Sequence, residues 1–282
     1  MLFSVIIPTA NRNELLAKCL DCLKQSIQLF NEDEVEVIVT DDGKNNEAKE
    51  FIAKNYTWVK WIEGPKKGPA ANRNNGAKNA NGEWLIFLDD DCEPSVQLLK
   101  AYYDAVSQNK NVFVFEGRIS TTRTFLNSLE SAPINENGGL LWSCNFCVSK
   151  TIFNLLNGFD EVFKYPHLED NDFKLRIDKL KHEIEFVPEA LVLHPPRKLA
   201  SGKKLGLYHQ YDIYFYQKHL IKYSFFSIIK NIIINRSYSI VTRKFTRYTF
   251  ISIYYMFCEI IVVTINFSKW KHSFTGMSLS KI

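Results

Sequence analysis

The sequence predicts an α/β fold: a mostly parallel central sheet flanked by helices, followed by a helical C-terminal region of different character. Three observations predict it. Short, continuous apolar runs alternate with segments of helical periodicity, and the runs are too short for typical helices. Two of those runs end in acid, Val35-Glu-Val-Ile-Val-Thr before Asp41-Asp42-Gly43 and Trp84-Leu-Ile-Phe-Leu before Asp89-Asp90-Asp91. The connections are short, so successive strands run parallel through right-handed crossovers.

The elements follow in order. Phe3-Ser-Val-Ile-Ile is a strand running into Pro8, with Thr9 at its carboxyl end. It leaves no signal peptide ahead of it as an expectation. Asn11 or Asn13 is expected to cap the next helix, whose apolar stripe is Leu15, Leu16, Cys19, Leu20 and Leu23. Val35–Thr40 is a second buried strand, Ala48, Phe51 and Ile52 mark a helix, and Trp58–Ile62 is a third strand. Gly64–Pro69 is a loop, and Ala70–Asn79 is a small-residue helix carrying Arg73. Trp84–Leu88 is the central strand. Beyond it, Val112–Glu116 is a strand, Gly117–Pro133 reads as a mobile loop, Ser143–Val148 is a strand, and Ala190–Leu193 is a short one.

Composition sets the bounds. The 282 residues are 46% apolar and 23% charged, as in a globular protein with a sizeable core. The net charge of +4 hides an asymmetry: residues 201–282 carry twelve Lys/Arg against Asp212 and Glu259, a net +10 that leaves −6 for residues 1–200. The two regions therefore face different partners. Six cysteines over this length fit a reducing compartment rather than a disulfide scaffold. The pairs Cys19/Cys22 and Cys144/Cys147 have metal-like spacing, but one lies on a helical pattern and the other on a strand that points its members apart, so no zinc site is expected.

The acids carry the chemistry. Three adjacent carboxylates repel one another unless something positive sits among them. Hard divalent cations take oxygen ligands and bridge carboxylates to substrate phosphates. In open α/β sheets the ligand crevice lies outside the carboxyl ends of the strands, where both acid clusters fall. A solvated acidic turn is the alternative. The arrangement resembles the mononucleotide half of a Rossmann-like fold without a glycine-rich phosphate loop, which implies that a cation rather than backbone amides holds the phosphates.

Ser-Val-Ile-Ile-Pro-Thr-Ala-Asn-Arg, Val-Ile-Val-Thr-Asp-Asp-Gly, Gly-Pro-Ala-Ala-Asn-Arg-Asn-Asn-Gly-Ala and Ile-Phe-Leu-Asp-Asp-Asp together resemble the family 2 glycosyltransferases of the GT-A fold. Asn157-Gly-Phe-Asp-Glu161 and Leu168-Glu-Asp-Asn-Asp-Phe-Lys-Leu-Arg176 fit the same family, and the resemblance covers about residues 3–195. It implies a transferase domain over 1–200, with a nucleotide-binding half (1–100) and an acceptor half (101–200), and a separate region over 201–282. Thr9 and Asp42 would contact the base with Asp41 beside them, and Arg73 the base or diphosphate. Asp89 would sit on the ribose, Asp91 on Mn²⁺ or Mg²⁺, and Asp90 would support the loop. Thr9 is otherwise a simple strand terminus, and Arg73 a surface cation.

In the second half, Trp142 either stacks on a sugar or packs in the core, and Asn145 lies on the strand that lines the donor sugar in this family. Cys144 stands where the family usually has glycine, which alters the donor pocket. Asp170 or Asn171 reads as the N-cap of a helix with the stripe Phe173, Ile177 and Leu180. A carboxylate at a helix N-terminus is held ionised and fixed, as a general base must be. The resemblance assigns that role to Asp170, with Glu169 and Asp172 as lesser candidates. His194 is either structural or a ligand of the cation or diphosphate, and Arg197 with Lys198 would clamp the leaving diphosphate.

The tail differs. Tyr208, Tyr211, Tyr214 and Phe215 form an aromatic helical stripe interleaved with Lys218 and Lys222. Tyr248–Phe267 is a 20-residue run whose sole charge is Glu259, flanked by Arg243, Lys244, Arg247, Lys269 and Lys271. Its length suits a membrane span. Its basic flanks and aromatic content suit a helix on an anionic membrane surface better. Packing on the body or a partner is the third option. No nucleic-acid motif is present, and oligomeric state is not legible.

The expectation is thus a metal-dependent, inverting transferase moving a sugar from a nucleotide-diphosphate donor, of the UDP class, to a hydroxyl of a glycan or lipid-linked acceptor in cell-surface polysaccharide synthesis. It would be cytoplasmic and peripheral to the inner face of the membrane. A nucleotide-sugar-forming nucleotidyltransferase would want a glycine-rich basic loop after the first strand, which Pro8-Thr-Ala-Asn-Arg-Asn13 does not supply. A catalytically silent membrane-bound scaffold is the rival outside enzymology.

Overall fold

The computed structural model describes residues 1–45 and 47–275. The chain divides into two compact units, Met1–Thr122 with Pro133–Pro195 and Arg123–Ala132 with Pro196–Ile282.

In the first unit, β1 (Phe3–Thr9), β2 (Val35–Asp41), β3 (Val59–Glu63) and β4 (Trp84–Leu88) alternate with α1 (Asn13–Leu29), α2 (Glu47–Asn55) and α3 (Pro69–Lys78). Then come β5 (Glu93–Pro94), α4 (Leu98–Gln108), β6 (Val114–Thr121), β7 (Glu130–Ser131, in the second unit), β8 (Asn145–Ser149), α5 (Lys150–Leu155), α6 (Glu169–Lys179) and β9 (Ile184–His194). The eight-stranded sheet has the order β3-β2-β1-β4-β8-β6-β9-β5. It is mostly parallel, with β8 inserted antiparallel between β4 and β6 and β5 antiparallel to β9. β1 and β2 pair in register from Phe3↔Val35 to Thr9↔Asp41, so the Thr9 end of β1 and the acid-bearing end of β2 share one sheet edge.

Every residue of β1 is buried, as a strand covered on both faces must be. Phe3, Val5 and Ile7 pack with Leu16, Cys19, Leu20 and Leu23 of α1 on one face. Ile6 points the other way, towards Ala70 and Ala77 of α3, the period-two alternation of a strand. The small residues of α3 have a steric cause: a Cβ at Gly76 would run into the Ile6 side chain. Phe87, Phe146, Phe153, Phe159 and Phe173 form a five-ring cluster beneath β4 and β8. Phe173 anchors α6 there, which fixes the helix N-terminus that carries Glu169 and Asp170.

Several sequence readings change. Neither Asn11 nor Asn13 caps α1: Arg12 is the N-cap residue and makes no side-chain cap, while Asn11, at φ 55°, accepts the Lys44 amide. The N-cap of α6 is Leu168 in the left-handed conformation (φ 69°), so Asp170 and Asn171 lie inside the first turn. Gly117–Pro133 is not one loop. β6 continues through Gly117 to Thr121 with a bulge at Gly117/Arg118, and β7 pairs with β10 (Arg197–Lys198). β9 starts at Ile184, well before Ala190.

In the second unit, α7 (Gly202–Tyr208), α8 (Gln210–Lys218), α9 (Phe225–Val241) and α10 (Arg247–Phe274) surround a core of Ile213, Ile228, Ile232, Val263 and Trp270. Gly202 and Gly206 lie one turn apart on α7, and a Cβ on either would collide with α10 at Tyr255 or Val262. Residues 123–132 join this unit through β7, through the Leu199 amide on the Leu129 carbonyl (2.8 Å), and through Arg243 stacked 3.8 Å from the Phe125 ring.

Candidate active site

Three carboxyl ends, of β1, β2 and β4, deliver polar side chains to one edge of the first unit. Two further elements converge on it: the N-terminus of α6 and the end of β9.

Asp90 is fully buried and is the best held of the three consecutive aspartates. Thr9 Oγ1 donates to it at 2.6 Å, and Arg12 grips it with Nε at 3.0 Å and Nη2 at 2.5 Å. Burial nevertheless pushes its carboxyl up to about 7, against the lowering pull of Arg12 and Thr9. The Thr9 hydroxyl is thereby engaged with Asp90. Arg12 was not singled out from sequence, although it stands in the Pro-Thr-Ala-Asn-Arg stretch directly after the first strand. Its reach to two aspartates some eighty positions away was the missing information.

Asp89 and Glu169 share the second arginine. Arg73, only 3% exposed, lies with Nη2 at 2.6 Å from Asp89 and Nη1 at 3.3 Å from Glu169. It is no surface cation: it is the buried counter-ion of the crevice, and its neighbouring carboxylates hold it firmly charged. Glu169 and Asp170 are both pushed up, by burial first, with Asp170 repelling Glu169 and Arg73 pulling both back. Asp90, Asp91 and Glu169 are buried, whereas Asp89 and Asp170 keep partial exposure.

Asp91 faces His194. His194 is fully buried; its Nδ1 lies 3.0 Å from the Pro195 carbonyl and its Nε2 3.2 Å from Asp91 Oδ1. A proton on Nδ1 for that carbonyl leaves Nε2 an acceptor lone pair, and Nε2 has no aligned hydrogen-bond partner. A lone pair aimed at a carboxylate oxygen fits a cation between them. Cys92 lies within the same 4.8 Å group. Burial raises its thiol, which donates to the Cys144 carbonyl, so it adds no anion. Arg12 Nη1 reaches Asp91 Oδ2 at 3.3 Å.

The β2 end supplies a second ring of contacts. Asp41 accepts from the Gly43 amide (2.7 Å) and Trp61 Nε1 (3.4 Å), and Asp42 from the amides of Lys66 (2.7 Å) and Gly68 (3.4 Å). Burial still raises Asp42. Asn72, also missed, binds the Thr40 carbonyl at 2.9 Å and so ties α3 to β2.

On the other side, Asn145 does not face the crevice. It has no exposed surface, and its amide joins Tyr102 (2.8 Å) and the carbonyls of Arg118 (2.9 Å) and Ala190 (2.7 Å). Trp142 is half-buried, with Nε1 3.4 Å from the Ile134 carbonyl. The approach to it is set by Glu116, which the sequence did not reveal. Its buried carboxylate accepts the amides of Gly139, Leu140 and Leu141 and the Asn135 amide at 2.5–3.0 Å. Gly138 and Gly139 supply the positive φ that this wrap requires. Arg197 belongs to the second unit, exposed on β10.

The family model for glycosyl transferase family 2 matches residues 4–160, more than half of the chain. The chain belongs to that family. Among its relatives, a GalNAc(5)-diNAcBac-PP-undecaprenol beta-1,3-glucosyltransferase from Campylobacter jejuni is 39% identical over 95 residues, covering 32% of this chain and 29% of the relative. Chondroitin synthase from Escherichia coli is 26% identical over 270 residues, covering 76% and 39%. The chain thus matches well under half the length of these relatives. Among solved structures, S. aureus TarS 1-349 in complex with UDP-GlcNAc superposes with a TM-score of 0.58 at 17% identity, covering 95% of this chain and 73% of that one. A mannosyltransferase from Pyrobaculum calidifontis, in complex with GDP-Man and Mn²⁺, gives 0.57 at 13% identity, covering 99% and 81%. These likenesses show the GT-A fold. Membership of this family favours the glycosyltransferase expectation over the nucleotidyltransferase one.

Proposed function

We propose that this glycosyltransferase transfers a sugar, with inversion, from a UDP-class donor to a hydroxyl of a glycan or lipid-linked acceptor, with Asp170 as general base. The observation that carries the proposal is the division of labour among the carboxylates. Glu169 is committed to Arg73 and Asp90 to Arg12, while Asp170, in the first turn of α6, has no arginine bound to it: Ser143 donates to its carboxylate, and the residue is only partly buried. A carboxyl whose pKa burial raises, held on a rigid helix terminus, suits proton removal from an alcohol as it attacks the anomeric carbon. One such carboxylate suffices, because the leaving diphosphate is already a stabilised anion and needs no acid partner of the glycosidase kind.

Asp91 and His194 are the residues that would hold a divalent cation. A mixed carboxylate and imidazole pair suits Mn²⁺ better than Mg²⁺. A bound cation would supply positive charge for the departing diphosphate. Arg73 keeps Asp89 oriented at the crevice, Thr9 and Arg12 hold the loop of Asp90 in place, and Asp41 and Asp42 stand at the base end. Support for the donor class comes from TarS, solved with UDP and with UDP-GlcNAc, and for the cation from the Mn²⁺ complexes of GalNAc-T7 and the Pyrobaculum enzyme. Support for a lipid-linked or polymeric acceptor comes from the names of the Campylobacter and Escherichia relatives.

The test is a donor panel assayed with Mn²⁺, with Mg²⁺ and with chelator. Asp170→Asn is expected to lower kcat by about 10²–10⁴-fold and leave UDP affinity within about twofold. A variant with parental kcat would remove Asp170 from the base role. No turnover with any donor, alongside intact UDP binding, would favour the silent scaffold.

A further inference from the structure

We propose that α9 and α10 form a docking face for an anionic lipid bilayer and lie flat in its headgroup layer, α10 not crossing it. This goes beyond the transfer chemistry and does not depend on the donor or the base.

The first observation is the way α10 divides lengthwise. Phe250, Tyr254, Phe257, Ile261 and Ile265 are 55–74% exposed. At about 100° per residue they fall in one stripe. Ser252, Glu259, Val263 and Trp270 are buried, and they fall on the opposite side. Isolated exposed apolar residues are ordinary, but an unbroken stripe of five over four turns marks an interaction surface. On α9, Phe226, Ile234, Tyr238 and Val241 are likewise exposed, and the link between the helices carries Phe245, 76% exposed, with its ring 5.5 Å from that of Phe250.

The second observation is charge. From Lys218 to Lys271 the chain carries nine Lys/Arg and one acid, Glu259. That acid points inward, where Arg236 Nε holds it at 2.7 Å and His209 Nε2 lies at 3.3 Å. The outward stripe of α10 therefore bears no negative charge, and Arg243, Lys244 and Arg247 at one end and Lys269 and Lys271 at the other rim it with positive charge. Aromatic and aliphatic residues bounded by Lys/Arg suit an interface of acyl chains and anionic headgroups.

The same facts argue against the other occupants. α10 is the one helix among the described residues long and apolar enough to cross a membrane. Crossing would carry Glu259 into hydrocarbon or strip it from Arg236 and His209, either of which is costly. It would also break the close approach of α7 to α10 at Gly202 and Gly206. A second copy of the chain would set like charges against like across a two-fold contact, whereas an anionic bilayer complements them.

The experiment is flotation of the full chain with phosphatidylcholine vesicles, with and without phosphatidylglycerol. The chain is expected to float with the anionic vesicles, to bind the neutral ones at least about tenfold more weakly, and to come off in high salt or alkaline carbonate. The triple substitution Phe250→Ser, Phe257→Ser, Ile261→Ser alters exposed positions only, so circular dichroism should be unchanged while anionic vesicle binding falls about tenfold or more. Lys244→Glu with Arg247→Glu, at exposed positions, should weaken it similarly. The proposal is overturned if wild type fails to float, binds both vesicles equally, resists carbonate as a span does, or floats undiminished with the three serines. It is equally overturned if those serines convert a dimer to a monomer in a chain that never floats. Donor hydrolysis by the serine variant, expected to match wild type, separates failure here from failure of the transfer reading.

Discussion

The two units invert each other's use of charge and apolar surface. At the sheet edge of the first, two arginines and four carboxylates lie within ion-pair reach of one another, largely withdrawn from water. In the second, large apolar residues stand in solvent, and the charged ones rim them. Buried charge is expensive unless something repays it, so its concentration points to a ligand. Exposed apolar surface is expensive in the same way and points to a partner. An ionic network in the second unit, Asp212–His209–Glu259–Arg236, tests the contrast, because it ties α8, α9 and α10 together.

The largest expected break of the contrast is Arg73→Met. Removing the shared counter-ion leaves Asp89 and Glu169 without it, and breaking buried pairs of this kind costs about 3–5 kcal/mol. Urea unfolding should show that loss, and a loss under 1 kcal/mol would mean that the carboxylates do not depend on Arg73. The next concerns His209. Burial alone would lower its pKa, but Asp212 and Glu259 outweigh burial and raise it from 6.5 to about 9. A raised histidine contributes stability that is fully present below 6.5 and lost as pH rises through about 9; the shift corresponds to about 3 kcal/mol. Tm should fall across that window in wild type and stay flatter in His209→Gln. A parallel decline in both would refute the network. The smallest effect belongs to an ordinary surface pair, Lys100–Asp104 on α4, whose side chains are 48% and 41% exposed. Lys100→Ala should change stability by less than about 0.5 kcal/mol.

Much of the fold was legible, because buried parallel strands announce themselves: β4 is a continuous apolar run, β1 and β2 are interrupted only by Ser4 and Glu36, and β2 and β4 end in aspartates. What escaped was set by contacts between distant positions. β9 begins at Ile184, where Glu185, Pro188 and Glu189 break any apolar run. The strand nature of Gly117–Thr121 comes from its pairing with β9 across a bulge, and the helix start at Glu169 comes from a leucine in the left-handed conformation where capping rules favour Asp170 or Asn171. In the site, the aspartates were legible from their position after strands. Their counter-ions were legible only in part: Arg73 is expected on the base or diphosphate rather than on Asp89 and Glu169, and Arg12 is an ordinary helix-end residue until the fold brings Asp90 to it. Asn145 sits on the expected strand, yet its amide turns into the sheet.

The central claim is that Asp91, with His194, holds a divalent cation at the edge where the strands deliver their acids. Titration of Mn²⁺ into the UDP-saturated protein, followed by calorimetry, tests it most directly. Wild type should bind one Mn²⁺, and Asp91→Asn should bind it at least about tenfold more weakly, with the fold intact by circular dichroism. Equal Mn²⁺ affinity in the two proteins would contradict the account.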